Sequence, residues 1–588
     1  MKLNSFLFLV LLFISCEKEK QNKETYFQTH FEKTNGTETA TYLQTIDFYI
    51  QLAKEFPEIN IQTIGETDSG YPLHIVTYNP EGNFNFQKIG EDKTIIMINN
   101  GIHPGESDGI DATMLLYRDL ASGKLNQPKN TVLTTIPIYN IGGALNRNSS
   151  TRVNQNGPKS YGFRGNAQNY DLNRDFIKTD TKNAKTFSKI FHLIKPDIFI
   201  DNHVSNGADY QYTLTHLFTQ HNKLGGELGK YLYEEMIPQL EGLLAKEHWD
   251  ITPYVNVFNE VPENGFTQFM DHPRYSTGYT TLWNTLGMMV ETHMLKPYKK
   301  RVEGTYLLLN KMIAIAEIDG KKIKKLREHA NNIQMNQKYY PLAWKVDTTK
   351  TSILNFKGFQ ANTYTSEVTG FPRLKYDENR PFVKEVKYQN YFTQIDSIKI
   401  PKAYVIKKGW TKIISRLELN KIDYSILQKD TVLTVESYKI DGYKTLEQPY
   451  EGHYLHYNTK VVKSREQLQF RQGDLVVPTN QLGFRYLLET LEPMAMDSYF
   501  NWNFFDTILQ LKEGFSPYVF EDIALDMLQR NALLKKEFES KKRSDTDFSE
   551  NWYSQLNWLY KRSKYYETAH MQYPVYRILK DKKSKTKD

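Results

Sequence analysis

The sequence predicts an α/β fold in which helices flank a mixed, largely parallel, twisted sheet, followed by β-rich and helical C-terminal regions. Three observations support this prediction. Between about residues 26 and 330, short β-rich runs alternate with helix-like stretches, an order typical of parallel sheets that are buried on both faces. From about residue 335 to 490, β-rich runs are separated by polar turns. From residue 500 onward, apolar and aromatic residues follow a helical pattern.

The individual elements of the α/β region are predicted from local patterns. Runs rich in β-branched and aromatic residues predict strands at residues 72–79, 93–100, 131–140, 197–203 and 287–293. A helix is predicted at residues 180–194. A second helical stretch is predicted at residues 222–247, where apolar side chains recur at helical spacing: Leu224, Leu228, Leu232, Met236, Leu240 and Leu243. In such folds, functional groups gather at the carboxyl ends of the strands.

The chain is predicted to have five segments. They are a signal peptide (1–15), a polar tether (16–39), the α/β domain (40–330), a β-rich accessory region (331–495) and a helical C-terminal region (496–588).

Composition indicates a folded protein and argues against nucleic-acid binding. Hydrophobic residues make up 39% and aromatic residues 13% of the 588 residues, which favours a packed core over disorder. The net charge of +7 arises from 75 basic and 68 acidic residues, and no sustained basic stripe is visible. We therefore expect no nucleic-acid partner.

The N-terminus predicts export and a lipid anchor. Lys2 precedes an apolar run at residues 6–14 that is too short to span a bilayer. The run ends at Cys16, the only cysteine, and LLFISC resembles a bacterial lipobox, although Phe13 stands where Leu is usual. The alternative is an ordinary signal peptide with a chance cysteine. If Cys16 is lipidated, the lipid is the only membrane contact, and the protein is located in a bacterial cell envelope, in the periplasm or on the outer-membrane surface.

His103 and Glu106 suggest a metal site at the end of a predicted strand. They follow the strand at 93–100, and Pro104-Gly105 between them predicts a tight turn. An imidazole and a carboxylate on one turn can reach a single zinc ion. The alternative interpretation is a surface turn without metal.

His203 supplies a third ligand from another strand end. It closes the run predicted at 197–203. Zinc in hydrolases takes three protein ligands and leaves the fourth position to water, so the two strand ends together provide one ligand set. Asp201 or Asn202 is expected to orient His203. Without a metal, His203 would simply cap its strand.

A hydrolytic zinc site also needs a base and groups that stabilise charge. Glu291 lies inside the apolar run at 287–293, where a carboxylate is costly unless it is paired, protonated or facing a polar cavity. We therefore expect Glu291 to be the general base, with a raised affinity for protons. Arginine suits a carboxylate or a developing oxyanion, although solvated charge is the alternative, and one Gly- and Asn-rich stretch holds four: Arg147, Arg152, Arg164 and Arg174.

Taken together, these motifs resemble the zinc carboxypeptidase (metallocarboxypeptidase) family. The family signature is an HxxE motif, an Asn-Arg pair, a distant His and a Glu on a late strand. The corresponding residues here are His103, Glu106, Asn173, Arg174, His203 and Glu291. The resemblance covers roughly residues 40 to 325, and it implies a zinc-carboxypeptidase-like catalytic domain in a bacterial lipoprotein member of the family.

The resemblance assigns roles to these residues. It implies one Zn²⁺ per chain, bound by His103, Glu106 and His203. Glu291 would deprotonate a zinc-activated water, and Asn173 and Arg174 would bind the free C-terminal carboxylate of a peptide substrate. The protein would then hydrolyse the C-terminal peptide bond of peptides.

Two further roles follow from positions relative to these motifs. Arg164 is nine residues before Asn173, where short-looped members of the family have the arginine that stabilises the oxyanion; Arg152 is the alternative. Many members have a mobile tyrosine before the catalytic glutamate, and Tyr275 is preferred over Tyr279 for this substrate-binding role.

Two alternative functions remain open at this point. The same metal chemistry suits a zinc amidase or peptidase that acts on peptidoglycan-type peptides or small N-acyl amides. The protein would otherwise be a catalytically inactive envelope lipoprotein with a binding role. The complete ligand set together with Glu291 argues against inactivity, because an inactive relative would be expected to lose the base or a ligand.

Overall fold

A computed structural model describes residues 27–580. The predicted signal peptide (1–15) and the lipidation residue Cys16 lie outside the described residues. The chain forms a mixed α/β domain flanked by helices, followed by a β-rich region and further helices, so the predicted fold class is confirmed.

The α/β domain is built on an eight-stranded sheet. The domain contains nine strands: β1 (Ile59–Glu66), β2 (Pro72–Tyr78), β3 (Thr94–Asn99), β4 (Thr131–Ile136), β5 (Ile198–Ser205), β6 (Leu214–Phe218), β7 (Ile251–Pro253), β8 (Phe266–Thr267) and β9 (Leu286–His293). All except β8 form one sheet in the order β1-β2-β4-β3-β5-β9-β6-β7. The central strands β4, β3, β5 and β9 are parallel, whereas β2 and β6 pair antiparallel with the two ends of this block.

Helices cover the sheet, which explains why its central strands are apolar. Every residue of β3, β4 and β5 is buried. The α-helices of this domain are His30–Lys33, Tyr42–Glu55, Phe86–Asp92, Asp108–Ala121, Ile141–Leu145, Lys182–Ile194, His221–Leu224, Gly226–Tyr231, Ile237–Ala245, Ser276–Thr281 and Tyr298–Met335. A π-helical turn, Leu232–Met236, and 3₁₀ turns at Leu172–Arg174 and Pro262–Asn264 complete it.

The structure refines several predicted elements. The five predicted strands correspond to β2, β3, β4, β5 and β9, but the run at 131–140 ends as a strand at Ile136. The predicted helical stretch at 222–247 is interrupted, because Gly225 and Gly226 both adopt positive φ. Strands β1, β6 and β7 and the long helix Tyr298–Met335 were not predicted.

The C-terminal half contains three smaller sheets. Its strands are β10 (Tyr339–Val346), β11 (Ser352–Thr365), β12 (Pro372–Gln389), β13 (Phe392–Lys399), β14 (Ala403–Ile406), β15 (Ser425–Ile426), β16 (Thr431–Thr445), β17 (His456–Phe470), β18 (Leu475–Pro478) and β19 (Val575–Ile578). β10 pairs with β13, and the long β11–β12 hairpin pairs with β8. The third sheet has the order β15-β18-β14-β19-β16-β17.

Most helices of the C-terminal half follow the strands, with one strand after them. The α-helices are Thr411–Leu419, Phe484–Leu491, Pro517–Arg530, Ala532–Ser544, Thr546–Ser549 and Trp552–Tyr560, with a 3₁₀ turn at Asp506–Leu509. β19 comes after the last helix and lies between β14 and β16. The predicted regions 331–495 and 496–588 therefore share one sheet.

The N-terminal part of the described chain packs onto the α/β domain. Phe27 and Phe31 are buried, and the Arg118 guanidinium lies 2.6 Å from the Glu32 carboxylate. These residues fall within the predicted tether (16–39), so the packed structure begins before residue 40. No helix between residues 27 and 580 is long and apolar enough to cross a bilayer.

Candidate metal centre and active site

The candidate site lies where three neighbouring parallel strands end. β3, β5 and β9 are adjacent, and the residues that follow β3 lead directly to His103. β5 and β9 pair with His203 directly opposite Glu291. Side chains at directly opposed positions point to the same face of a sheet, so the sheet itself places this carboxylate beside this imidazole.

A tight turn brings His103 and Glu106 together. The Glu106 backbone N–H donates to the His103 carbonyl at 2.8 Å, which closes the turn. Gly105 is required here, because an added Cβ would lie 2.6 Å from the Arg152 side chain and 2.9 Å from the Gly162 carbonyl oxygen. The turn that the sequence predicted from Pro104-Gly105 is present.

The side chains of His103, Glu106 and His203 converge in the interior. One ligand atom from each lies within 4.8 Å of the others, and the three residues are only 2–3% exposed. His103 Nδ1 lies 3.3 Å and His203 Nδ1 lies 3.1 Å from the Glu106 carboxylate. His103 Nδ1 is buried without a hydrogen-bond partner, which is costly unless another group binds it. Two imidazoles and one carboxylate are a donor set that zinc prefers, so these residues fit the metal.

A carboxylate orients each histidine from its far side. His103 Nε2 lies 2.9 Å from Asp171 Oδ1, and His203 Nε2 lies 3.0 Å from Asp201 Oδ2. Both Nδ1 atoms are thereby left to face the centre of the site. Of the two residues considered for orienting His203, Asp201 does so, whereas Asn202 donates to the Asn100 side chain. Asp171 was not among the predicted site residues, although it lies two residues before Asn173.

Burial and neighbouring charges shift the pKa values of the ligand group in opposite directions. Burial alone would lower the pKa of His203, but the Asp201 carboxylate, together with Glu106, raises it well above its usual value. Burial would raise the pKa of Glu106, but His103 and Arg152 lower it well below its usual range. Because a histidine binds a metal ion through a deprotonated nitrogen, metal binding is expected to weaken as the pH falls.

Glu291 is half-buried at the edge of this group. Burial raises its pKa to about 7, and the nearby Glu106 acts in the same direction while His203 and Arg164 oppose it. The Glu291 backbone carbonyl accepts a hydrogen bond from the Thr215 hydroxyl at 2.8 Å. A carboxyl with this pKa can both accept and donate a proton near neutral pH.

Two of the four clustered arginines contact Glu106. Arg152 and Arg164 lie 3.0 Å and 3.4 Å from its Oε1 atom. The Arg164 side chain is 44% exposed and also pairs with Asp171 at 2.9 Å, whereas Arg152 is 19% exposed. The structure brings both the preferred arginine and its alternative to the site, and Arg164 is the more accessible from solvent.

Asn173, Arg174 and Tyr275 form a second group linked to the first through Asp171. The Asp171 side chain accepts from the Asn173 backbone N–H at 2.9 Å, which starts the 3₁₀ turn Leu172–Arg174. The Arg174 guanidinium lies 4.6 Å from the centre of the Tyr275 ring. Asn173 Oδ1 accepts from the Ser276 backbone N–H at 3.2 Å.

Tyr275 is anchored through its neighbour in sequence. Arg274 donates from its backbone and its guanidinium to Asp497, at 2.9 Å and 2.8 Å. The expected mobile tyrosine therefore follows a residue that is fixed by the C-terminal half of the chain. Tyr279, the alternative, is fully buried and hydrogen bonded to Asn420, so it does not face the site.

The part of the chain that carries most of this site matches a known protein family. Residues 45–196 match the model of the zinc carboxypeptidase family. This span includes His103, Glu106, Asn173 and Arg174 and ends before His203. No curated protein shows a significant match to the chain.

The chain is similar to several solved metallocarboxypeptidases at low identity. The metallo-carboxypeptidase from Burkholderia cenocepacia is 15% identical, with a TM-score of 0.35, over 46% of this chain and 68% of that chain. Carboxypeptidase A from Helicoverpa armigera is 13% identical, with a TM-score of 0.37, over 48% of this chain and 75% of that chain. The Pseudomonas aeruginosa metallo-carboxypeptidase is 11% identical, with a TM-score of 0.35, over 48% of this chain and 70% of that chain. The family match confirms the predicted resemblance to the zinc carboxypeptidases over residues 45–196.

Proposed function

We propose that this protein is a zinc-dependent metallocarboxypeptidase that hydrolyses the C-terminal peptide bond of peptides. The observation that carries the proposal is the convergence of His103, Glu106 and His203, with Glu291 directly opposite His203 in the sheet. The zinc carboxypeptidase match supports the same class of reaction.

The ligand group would hold one zinc ion through the two histidine Nδ1 atoms and the Glu106 carboxylate. Zinc bound there supplies Lewis acidity, which polarises a carbonyl and makes water a better nucleophile. Glu291 takes a proton from the attacking water as the new C–O bond forms, and it gives that proton to the amine as the C–N bond breaks. Burial raises the pKa of Glu291 towards neutral pH, which favours both transfers. Arg164 donates to the oxygen on which negative charge develops.

Asn173 and Arg174 are proposed to bind the free carboxylate of the substrate's C-terminal residue. The Tyr275 ring supports one face of the Arg174 guanidinium, and one N–H donates to the Asn173 carbonyl at 2.8 Å. The remaining N–H groups match a carboxylate in a planar, two-point contact. Because Asn173 Oδ1 is already bonded to Ser276, its NH₂ group is the part left to donate to the substrate.

Arg174→Ala is expected to raise KM about 10- to 100-fold for peptides with a free C-terminus, since hydrogen bonds to charged groups contribute about 1.5–3 kcal/mol. C-terminally amidated copies of the same peptides are expected to be poor substrates for the unaltered protein, and to lose less on this substitution. Steady-state kinetics on matched acid and amide peptides makes the comparison. Arg380→Ala, at an exposed position of β12, is the control and is expected to change nothing. Asn173 and Arg174 together are the substrate clamp. Equal cleavage of acid and amide peptides by the unaltered protein would show that this clamp does not bind the C-terminal carboxylate.

We further propose that Cys16 carries a lipid and anchors the protein in a bacterial cell envelope; the lipobox-like LLFISC supports this. Expressed in a bacterial host with labelled palmitate, the full chain is expected to incorporate label and to enter the detergent phase on phase separation. Cys16→Ser is expected to be unlabelled and to remain in the aqueous phase. An unlabelled full chain, or a Cys16→Ser variant that is still labelled, would refute the anchor.

A further inference from the structure

One residue beside the active site comes from the C-terminal half of the chain. β16 and β17 are joined by a segment whose end folds into a two-residue turn, closed by reciprocal backbone hydrogen bonds between Tyr450 and His453 at 2.7 Å and 3.1 Å. Glu451 and Gly452 occupy the tip, with φ of +51° and +79°. This conformation is typical of hairpin turns, where Asn-Gly is the favoured pair and a glutamate is unusual.

The Glu451 carboxylate bonds to the residue that links the metal ligands to the substrate clamp. Its Oε2 atom accepts from the Asp171 backbone N–H at 2.9 Å. Asp171 in turn contacts His103 Nε2 at 2.9 Å, pairs with Arg164 at 2.9 Å and caps the turn that carries Asn173. The Glu451 contact therefore holds the backbone of Asp171, which contacts His103, Arg164 and Asn173.

Contacts on both sides hold the turn in place. His453 Nε2 lies 2.7 Å from Asp180 Oδ2, and the Tyr450 ring stacks on Trp502 with 6.0 Å between centroids. Gly452 packs so closely that an added Cβ would lie 2.8 Å from the Tyr170 hydroxyl. The turn is thus seated against the segment that leads into Asp171.

The position of Glu451 is unfavourable for a glutamate that has no role. It adopts a left-handed backbone, which side chains other than Gly and Asn rarely do. Burial raises the pKa of its carboxyl, and the negative charge of Asp171 adds to this, although the hydrogen bond from the Asp171 backbone N–H and the charges of Lys178 and Arg174 act against it. Local strain that the surroundings maintain is characteristic of functional sites.

We propose that Glu451 is a positioning residue of the active site, through which the C-terminal β-rich region holds Asp171 and thereby sets the orientation of His103 and Arg164. Its effect on catalysis rests on the proposed carboxypeptidase function, whereas its effect on metal affinity does not. The C-terminal half of the chain is, on this account, part of the active-site structure.

Glu451→Ala removes the acceptor for the Asp171 N–H. It is expected to weaken zinc binding about 3- to 10-fold, less than the about 10- to 100-fold that follows when a direct partner of a ligand is lost. KM for free-acid peptides is expected to rise by a similar factor, because the turn that carries Asn173 and Arg174 loses its cap geometry. Glu451→Gln keeps an acceptor oxygen and is expected to stay within about twofold of the unaltered protein in both quantities. Glu447→Ala, at an exposed position of the same connecting segment, is the matched control.

The measurements are zinc affinity by competition with a chelator, steady-state kinetics, and the unfolding temperature of each metal-free variant. A double substitution tests the route of the effect: with Asp171→Ala already present, Glu451→Ala is expected to weaken zinc binding no further. Zinc affinity is measured without substrate. If the full chain proved inactive on peptides, the proposed function would be refuted, whereas the role of Glu451 would still be decided by the zinc affinities of the variants.

Three outcomes would overturn the inference. The first is Glu451→Ala with unchanged zinc affinity, whatever its unfolding temperature, since the turn would then be only a packing contact. The second is a loss in Glu451→Gln as large as in Glu451→Ala, because the hydrogen bond would then not be the cause. The third is a loss of zinc affinity from Glu451→Ala that is equally large in the unaltered protein and in the Asp171→Ala variant.

Discussion

Glu291→Gln is expected to lower kcat about 10²- to 10⁴-fold, the range that a positioned general base contributes. The amide has nearly the shape of the carboxyl but cannot accept the proton of the attacking water. Zinc affinity is expected to change little, because Glu291 is not among the three converging ligand side chains. Glu447→Gln, at an exposed site, is the control.

The pH dependence of kcat/KM is a second test of the role of Glu291. A general base must be ionised, so kcat/KM is expected to fall as the pH falls through the pKa of Glu291. Burial raises that pKa from 4.5 to about 7, and a bound cation would lower it again, so the acidic limb is expected between these two values. A Glu291→Gln variant that keeps full activity, or that keeps the acidic limb unchanged while zinc is held at saturation, would contradict the assigned role.

His203→Ala is expected to abolish activity and to weaken zinc binding by more than about 100-fold, because the loss of a ligand exceeds the about 10- to 100-fold cost of losing a ligand's partner. Asp201→Ala removes such a partner and is expected to fall in that lower range. The two variants should therefore form a graded series with the unaltered protein when zinc affinity is measured by chelator competition.

The pH dependence of zinc binding accompanies this series. Asp201 and Glu106 raise the pKa of His203 well above its usual value against the effect of burial, and a histidine must be deprotonated at the nitrogen that binds zinc. Zinc affinity is expected to decrease with falling pH in the unaltered protein. His329→Ala, at an exposed position of the helix Tyr298–Met335, should behave as the unaltered protein does. Undiminished zinc binding by His203→Ala would contradict the ligand assignment.

The central strands of the sheet were predictable because a strand that is buried on both faces is apolar along its whole length. β3 and β5 are continuous apolar runs, and such runs need no knowledge of their neighbours to be identified. β1 is a half-exposed edge strand, and β6 is interrupted by Thr215 and His216, so neither is a continuous apolar run. Their positions are set by pairing with strands far along the chain.

The site residues that could be predicted are likewise those next to strands that could be identified from the sequence. His103, Glu106, His203 and Glu291 stand at or next to the ends of predictable strands, and parallel strands place their ends along one edge. Asp171 lies in an irregular loop, where sequence does not say which way a carboxylate points.

Glu451 was beyond prediction for a further reason. It lies 280 residues from its partner Asp171, in a region where no chemistry could be read from the sequence. Only the packing of the C-terminal sheet against the α/β domain brings the two together. Long-range contacts of this kind become visible only in the folded structure.

Zinc-dependent release of C-terminal residues is tested most directly by digesting a peptide library with free C-termini and analysing the products by mass spectrometry. The purified full chain is used as isolated, after chelation, and after chelation with zinc restored. Single C-terminal residues are expected to be released by the first and third samples and not by the second, and amidated peptides are expected to remain largely intact. Internal cleavage, or release that persists after the metal is removed, would rule out a zinc-dependent carboxypeptidase.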